Sequence, residues 1–159
     1  MAVSVLKTYE RRILELCKKH KTVFIYLSKK DEVETGGVIK EFITLGKIVC
    51  VPVCNVLTKE LLISGLKDLK STKKGAYGID EPKNFIPVQK EEIDIFFVPG
   101  TLFDRKGNRK GRGEGYFDRF LKDIKGKKKI VGLCRKNQLK EKIIANSWDV
   151  PVDEVIVAD

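Results

Sequence analysis

Glycines and basic side chains are interspersed between residues 105 and 115, and together they suit the binding of an anion. Positive charge in this stretch comes from Arg105, Lys106, Arg109, Lys110 and Arg112. Residues without a side chain, which let backbone N–H groups approach a ligand closely, are Gly107, Gly111, Gly113 and Gly115. The stretch therefore predicts a cradle for a phosphate-bearing ligand.

A strand and a helix are expected to hold this cradle. Residues 93–98 form an apolar run typical of a buried strand, and Pro99 and Gly100 predict a turn after it. A helix is predicted to begin near Gly115 and to end at Gly126. Its N-terminus would add partial positive charge facing the same ligand.

Apolar runs and helical periodicities alternate along the rest of the chain. Strands are predicted over residues 22–28, 47–53 (ending near Pro52), 61–66, 129–134 and 152–157, and helices over residues 5–19, 31–46 and 138–145. Residues 67–90 lack periodicity, and a connection of that length is usually functional. The pattern predicts one α/β domain, residues 1–159, with a mainly parallel sheet covered by helices on both faces.

Composition narrows the functional class. With 32 basic and 22 acidic residues the formal net charge is +10, which attracts polyanions. Nucleic acid is the disfavoured partner, because helix-turn-helix spacing, zinc-ligand patterns and RNA-motif aromatics are absent from the sequence.

His20 is the one histidine, which argues against histidine-based catalysis. The four cysteines form no C-x-x-C pair and are expected to be buried free thiols. No apolar run approaches a membrane span or a secretory signal, so we expect a cytoplasmic protein without membrane contact.

The central stretch is similar to the signature of the 5-formyltetrahydrofolate cyclo-ligases, also called methenyltetrahydrofolate synthetases. That signature reads V-P-G, then F-D-x-x-G-x-R-x-G-x-G-x-G-Y-Y-D. The matching residues are Val98-Pro99-Gly100, Phe103-Asp104, Gly107, Arg109, Gly111, Gly113 and Gly115-Tyr116-Phe117-Asp118. Shorter matches follow the family's order at Tyr26-Leu27-Ser28, Glu32-Val33-Glu34-Thr35, Gly46-Lys47, Gly78-Ile79-Asp80-Glu81-Pro82 and Val152-Asp153-Glu154-Val155. The resemblance covers roughly residues 23–157.

The resemblance implies an enzyme that converts 5-formyltetrahydrofolate into 5,10-methenyltetrahydrofolate with ATP and Mg²⁺. In that reaction ATP phosphorylates the formyl oxygen, N10 attacks the activated carbon, and phosphate leaves as the ring closes. The resemblance further implies a fold of the sugar-phosphate isomerase and CoA-transferase type. We expect a monomer whose substrate is a folate, including a polyglutamylated folate.

The resemblance also assigns roles to individual residues. Catalytic roles are implied for Arg109, Arg112 and Tyr116. ATP contacts are implied for Arg109, Lys110, Gly111, Arg112, Gly113, Glu114, Gly115, Tyr116 and Phe117. Folate contacts are implied for Leu27, Glu32, Arg112 and Tyr116, and magnesium ligation for Asp118 and Asp149.

Simpler interpretations stand beside these assignments. Asp118 and Glu32 would also serve as acids at the start of a helix, and Tyr116 as a core residue. Asp104 is expected to make a turn with Gly107 rather than to do chemistry.

Two departures from the family pattern bear on activity. Phe117 replaces a tyrosine, and the family's N-terminal basic helix is expected to be absent. Lys7 and Arg11 keep its i, i+4 spacing but are assigned to the following helix. A non-catalytic folate- or nucleotide-binding relative is therefore the alternative, and a basic nucleic-acid-binding protein ranks behind it.

Overall fold

The computed structural model describes residues 5–158. Its strands are β1 (Thr22–Ile25), β2 (Ile48–Asn55), β3 (Glu60–Leu66), β4 (Thr72–Lys74), β5 (Asp80–Pro82), β6 (Ile95–Val98), β7 (Leu102–Asp104), β8 (Arg109–Lys110), β9 (Lys129–Arg135), β10 (Leu139–Lys140) and β11 (Glu154–Ala158). Its α-helices are α1 (Thr8–Leu16), α2 (Gly36–Thr44) and α3 (Tyr116–Leu121). Short 3₁₀ helices span Ala76–Gly78, Lys90–Glu92 and Lys136–Gln138.

A mixed, mainly parallel sheet organises the described chain. Six strands lie side by side in the order β11-β9-β6-β1-β2-β3, and every neighbouring pair is parallel except β2 with β3. The predicted mainly parallel sheet is therefore confirmed, with the predicted strand 61–66 as its antiparallel edge. Because the parallel strands share a direction, their carboxyl ends deliver loops to one edge.

Helices cover both faces of the sheet, as predicted. On one face α1 and α2 bury Ile13, Val38 and Phe42 against Val23 and other residues of the sheet. On the opposite face α3 lies in a second core with Phe24, Phe96, Phe103, Phe120 and Ile130. Since side chains alternate along a strand, consecutive apolar residues such as Val23 and Phe24 supply both cores.

Helix bounds differ from the expectations at four places. Helix α3 ends at Leu121, before the predicted end at Gly126, because residues 122–127 form turns. Helix α1 covers less than the predicted residues 5–19, and α2 begins at Gly36, after the acids at residues 31–35. Those acids lie in a loop, so Glu32 is not the first-turn acid of a helix. The helix predicted over residues 138–145 is wrong. Leu139 and Lys140 instead form β10, which pairs with β7, because hydrogen bonding to a neighbouring strand outweighs the weak local helical pattern there.

Pro52 lies inside β2 and does not end it. Strand β1 pairs with β2 only as far as Cys50. Ile63, the partner of Pro52 in β3, directs its carbonyl away from β2 to Val88 N, so the missing N–H of Pro52 lies on the other side of β2, where β1 has ended. The strand can therefore continue to Asn55. The irregular connection predicted over residues 67–90 contains the β4–β5 hairpin, which folds over the sheet edge that carries the loops.

The cysteines and hydrophobic segments mostly follow the expectations. Cys17, Cys50 and Cys134 are buried and free, whereas Cys54 is free but only partly buried. The prediction of burial is thus wrong for Cys54, because β2 extends past its neighbour β1 into a cavity that this thiol lines. Within residues 5–158, none of the helices combines the length and apolar character that a membrane span needs.

Candidate active site

A cavity of about 380 Å³ opens where the parallel strands β1, β2 and β6 deliver their carboxyl ends. We call it the main cavity. The β4–β5 hairpin forms one wall, and the glycine-rich loop between β8 and α3 forms another. Every residue to which the family resemblance assigned a role lines it: Leu27, Glu32, Arg109, Lys110, Gly111, Arg112, Gly113, Glu114, Gly115, Tyr116, Phe117, Asp118 and Asp149. Arg105, Lys106 and Gly107, which were expected to belong to the cradle, lie in the turn between β7 and β8 and do not line the cavity. Side chains from separate parts of the sequence thus share one space.

The glycine-rich loop rests on a small platform of β-structure. Strands β7 and β8 pair antiparallel, and Thr101 N donates to Lys110 O at 2.7 Å. Beyond this base the chain turns through Gly113 and Gly115 with φ of +99° and +72°, where glycine is favoured. The helix that follows, α3, has only six residues. Backbone N–H groups and basic side chains, more than a helix dipole, are therefore the elements here that would suit an anion.

Gly113 offers a test of the cradle, because a Cβ built there meets nothing within 4 Å, so the change acts on the loop backbone and on the cavity that Gly113 lines. We expect Gly113→Ala to lower kcat/KM for MgATP roughly tenfold to a hundredfold through displaced N–H groups. Gly126→Ala is the matched control, since Gly126 also has positive φ (+83°) and open space but lies outside the cavity. Both changes should cost about 1 to 2 kcal/mol of unfolding free energy. Equal activity losses in the two variants would contradict the cradle.

Arg109 lies beneath the loop as a buried support. The residue is 4% exposed, and its Nη1 donates to Pro99 O at 2.9 Å. Its Nη2 lies 3.7 Å from Asp118 Oδ1. Its Cζ lies over the Phe117 ring, 5.5 Å from the ring centroid. Burial lowers the pKa of Arg109, while Asp118 and Asp149 oppose that shift. Its Nε is buried without a hydrogen-bond partner among the described residues. Arg109 thus joins the loop base to α3 while it borders the cavity.

Two carboxylates face the cavity beside the loop. Asp118 Oδ1 accepts Val150 N at 3.1 Å, and Asp149 Oδ2 accepts Asn146 N at 2.7 Å and Lys110 Nζ at 3.1 Å. Burial alone would raise the pKa of Asp149, but these donors outweigh it and the pKa is lowered. Asp149 therefore remains a carboxylate throughout the neutral range.

The donor set fits one kind of metal site. Among the described residues there is no cluster of three or more His, Cys, Asp or Glu side chains able to hold a metal. Mg²⁺ needs only one or two carboxylates when phosphate oxygens and water complete its shell. Asp118 and Asp149, with side chains 11% and 8% exposed, match that requirement. They would suit a magnesium ion that arrives with a polyphosphate.

Ion pairs connect the tip of the loop to neighbouring segments. Arg112 Nη2 lies 2.8 Å from Asp31 Oδ2 in the loop after β1, and Lys59 Nζ lies 3.4 Å from Glu114 Oε2. All four side chains are exposed, so each pair contributes little to stability. Arg112 can accordingly exchange Asp31 for an anionic ligand at small cost.

The loop after β1 holds Leu27 and Glu32 in the cavity wall, and Asp31 of this loop pairs with Arg112 of the glycine-rich loop. Thr35 Oγ1 donates to Tyr26 O at 2.7 Å, and Arg135 Nη2 donates to Glu32 O at 2.8 Å. Glu32 Oε1 accepts Lys29 N at 2.8 Å, so the carboxylate caps its own loop. Burial raises the pKa of Glu32, although Lys29 N–H and Arg112 oppose the shift.

Tyr77 is a site residue that the sequence did not single out. It lies on the β4–β5 hairpin in a left-handed conformation with φ of +58°. Its hydroxyl lies 3.1 Å from the Tyr116 hydroxyl, and its carbonyl accepts Lys29 Nζ at 2.8 Å. In the sequence, the length of the connection over residues 67–90 is the signal that indicates a functional role for the segment that contains Tyr77. Tyr116, meanwhile, is both 8% exposed in the second core and part of the cavity wall.

The hydroxyl pair predicts a measurable coupling. The hydrogen bond between the two hydroxyls is the main cause that raises the pKa of Tyr116 to about 12. We expect Tyr77→Phe to lower that pKa, measured by ultraviolet titration of the phenolate, and to raise the folate KM roughly two- to tenfold. If the two hydroxyls act together, Tyr77→Phe/Tyr116→Phe will have the same KM as either single variant. Additive effects would contradict the coupling.

Comparison with known proteins decides the family. The model of the 5-formyltetrahydrofolate cyclo-ligase family matches residues 4–158. The chain belongs to the 5-formyltetrahydrofolate cyclo-ligase family. Among curated relatives, the 5-formyltetrahydrofolate cyclo-ligase of Haemophilus influenzae is 36% identical over 147 residues, which cover 88% of this chain and 77% of the relative. The 5-formyltetrahydrofolate cyclo-ligase of Mus musculus is 31% identical over 151 residues, covering 87% and 74%.

Solved structures of this family agree with the fold. The NMR structure of Aquifex aeolicus 5,10-methenyltetrahydrofolate synthetase superposes with a TM-score of 0.75 at 30% identity, covering 95% of this chain and 78% of that one. The 5,10-methenyltetrahydrofolate synthetase of Mycoplasma pneumoniae gives a TM-score of 0.72 at 20% identity, covering 93% and 81%, and shows the fold alone. The resemblance read from the sequence is thus confirmed at the level of the cyclo-ligase family.

Proposed function

We propose that this chain uses ATP to convert 5-formyltetrahydrofolate into 5,10-methenyltetrahydrofolate. The observation that carries the proposal is the shared main cavity, where a glycine-rich anion cradle faces Leu27 and Glu32 across one space. A cyclo-ligase needs both halves, because a phosphate donor must meet the formyl group of a folate. Membership in the cyclo-ligase family supports the same reaction.

The residues suit the chemistry of this reaction. A formamide oxygen is a poor leaving group, and bound MgATP supplies the phosphoryl group that makes it a good one. Such a transfer asks the protein for positioning and charge neutralisation more than for covalent chemistry. Backbone N–H groups at Gly111, Gly113 and Gly115 are placed to bind phosphate oxygens, and Lys110 and Arg112 to neutralise their charge. Asp118 and Asp149 would hold the magnesium ion.

The other half of the main cavity suits a folate. Leu27, Tyr77 and Tyr116 give it an apolar and aromatic lining that matches a flat pterin ring. Glu32 is placed to accept hydrogen bonds from pterin N–H groups or to orient the formyl-bearing nitrogen. Its Oε1 accepts Lys29 N in the structure, and the other carboxylate oxygen keeps its acceptor capacity for the pterin. The hydroxyl of Tyr116 is placed to donate to the substrate near the phosphate cradle.

Further features of the proposal concern the whole protein. We propose one domain of the sugar-phosphate isomerase and CoA-transferase type, supported by two cores that share one sheet. A monomer is the proposed form, because the cradle, the carboxylate pair and the loop after β1 that the reaction needs already meet within this chain. A cytoplasmic location is supported by four free cysteines. The net charge of +10 favours a polyglutamylated, and therefore polyanionic, folate.

A spectrophotometric assay tests the proposed function. Addition of MgATP to the protein and 5-formyltetrahydrofolate should produce the near-ultraviolet absorbance of the methenyl product, and omission of ATP should abolish the signal. Calorimetric binding of the folate with no ATP-dependent product at high protein concentration would instead support the non-catalytic alternative. Tight, salt-sensitive binding of RNA that competes with ATP would favour the nucleic-acid alternative.

A further inference from the structure

A second cavity of about 710 Å³ adjoins the main one. The two share residues of the glycine-rich loop and the carboxylate pair: Gly113, Glu114, Gly115, Asp118, Trp148 and Asp149. From this shared boundary the second cavity continues towards Val150 and Lys122, the residue that follows α3. None of the roles assigned above uses that continuation.

The direction of phosphoryl transfer indicates what the second cavity holds. The transferred phosphoryl group must reach the formyl oxygen in the main cavity, on the side of Leu27 and Glu32. The remaining phosphates and the nucleoside must then extend away from that oxygen, past the cradle and the two carboxylates. The second cavity begins at this boundary and is lined further out by the basic side chain of Lys122. It is therefore the space in which a nucleoside would lie.

Trp148 is the side chain suited to a purine in that space. It is 68% exposed, and of the described residues that line the second cavity it is the aromatic one. Trp148 directly precedes Asp149 in the sequence. A ring stacked on the indole would therefore lie close to the carboxylate proposed to meet the metal–phosphate group. An indole exposed to this extent normally carries a cost in apolar hydration that a stacked base would remove.

We infer that Trp148 stacks on the purine base of ATP in the second cavity. The inference rests on the function proposed above, and it assigns to the nucleotide base a site separate from the pterin site of the main cavity. The aromatic residues Tyr77 and Tyr116 serve the pterin, and Trp148 serves the purine. The glycine-rich loop and Asp118 lie between the two rings.

Because Trp148 is the one tryptophan of the chain, its fluorescence reports on this site directly. Excitation near the red edge of indole absorption avoids absorption by adenine, and the titrations use no folate. ATP with Mg²⁺ should change the emission, whereas inorganic tripolyphosphate with Mg²⁺, which lacks a base, should leave it unchanged. An equal change with tripolyphosphate, or no change when calorimetry shows ATP bound, would overturn the base site alone. Failure to bind ATP at all by calorimetry would overturn the proposed function as well.

Steady-state kinetics supply the second test. Trp148→Ala should raise the KM for ATP roughly 5- to 100-fold, as expected for loss of base stacking, with kcat and the folate KM little changed. Trp148→Phe should restore most of the affinity. Ile144→Ala is the matched control, because Ile144 is 81% exposed in the same loop and lines neither cavity. A rise in the folate KM with an unchanged ATP KM would overturn the inference.

Discussion

Asp149→Asn is expected to lower kcat/KM for MgATP by roughly 100-fold or more. The change keeps the size of the side chain but removes the negative charge that would meet the metal–phosphate group, and comparable losses of a charge-stabilising group cost about this much. It also leaves Lys110, 3.1 Å away, without its counter-charge. Because the pKa of Asp149 is lowered in the folded protein, protonation of this group should not limit activity between about pH 5 and about pH 8.

Asp153→Asn is the control for this prediction. Asp153 makes the same kinds of contact as Asp149, since it accepts a lysine Nζ (Lys125, 2.6 Å) and a backbone N–H (Ile130, 2.8 Å), but it lines neither cavity. Its replacement should change kcat/KM by less than about twofold, and it should cost less stability than Asp149→Asn, because the Asp153 side chain is 33% exposed and the Asp149 side chain 8%. Unchanged activity in Asp149→Asn, or equal losses in the two variants, would contradict the role of Asp149 at the metal.

Arg109→Met is expected to destabilise the fold as well as the site. Asp118, 11% exposed, would keep its charge without the guanidinium 3.7 Å away, and Pro99 O would lose its buried donor. Removal of one member of a buried ion pair typically costs about 3 to 5 kcal/mol of unfolding free energy. Denaturant unfolding measures the loss, and activity should fall with it because Arg109 supports the base of the loop.

The double variant Arg109→Met/Asp118→Asn separates charge from packing. If the cost comes from an uncompensated carboxylate, removal of that charge should recover about 1 to 2 kcal/mol relative to Arg109→Met. Arg109→Lys tests geometry, because a lysine keeps the charge but cannot both reach Pro99 O and stack on the Phe117 ring. A double variant no more stable than Arg109→Met would show that packing, not charge, dominates at this position.

Much of the fold could be predicted from simple periodicities. The runs at β1 and β6 are apolar without alternation because both faces of the parallel sheet are buried. This pattern can be recognised in the sequence alone. The position of the site followed for the same reason. Loops after parallel strands meet at one edge, so Leu27 and the glycine-rich loop had to lie near one another although many residues separate them.

Other features depend on tertiary contacts that no local pattern reveals. Leu139 pairs with Phe103 of β7 and so forms a strand where the local sequence favours a helix. The burial of Arg109 and the hydroxyl contact between Tyr77 and Tyr116 arise from the packing of segments distant in the sequence. The position of Trp148 beside two adjoining cavities likewise depends on the packing of distant segments. Local propensity is thus weakest where the site is assembled.

Transfer of the formyl oxygen itself tests the central claim most directly. The claim is that the main cavity brings the formyl oxygen of the folate to the phosphate held by the glycine-rich loop. With 5-formyltetrahydrofolate labelled with ¹⁸O in the formyl group, the label should appear in inorganic phosphate, one labelled phosphate for each methenyl product. Methenyl product formed with unlabelled phosphate, or no ATP-dependent product at all, would contradict the account.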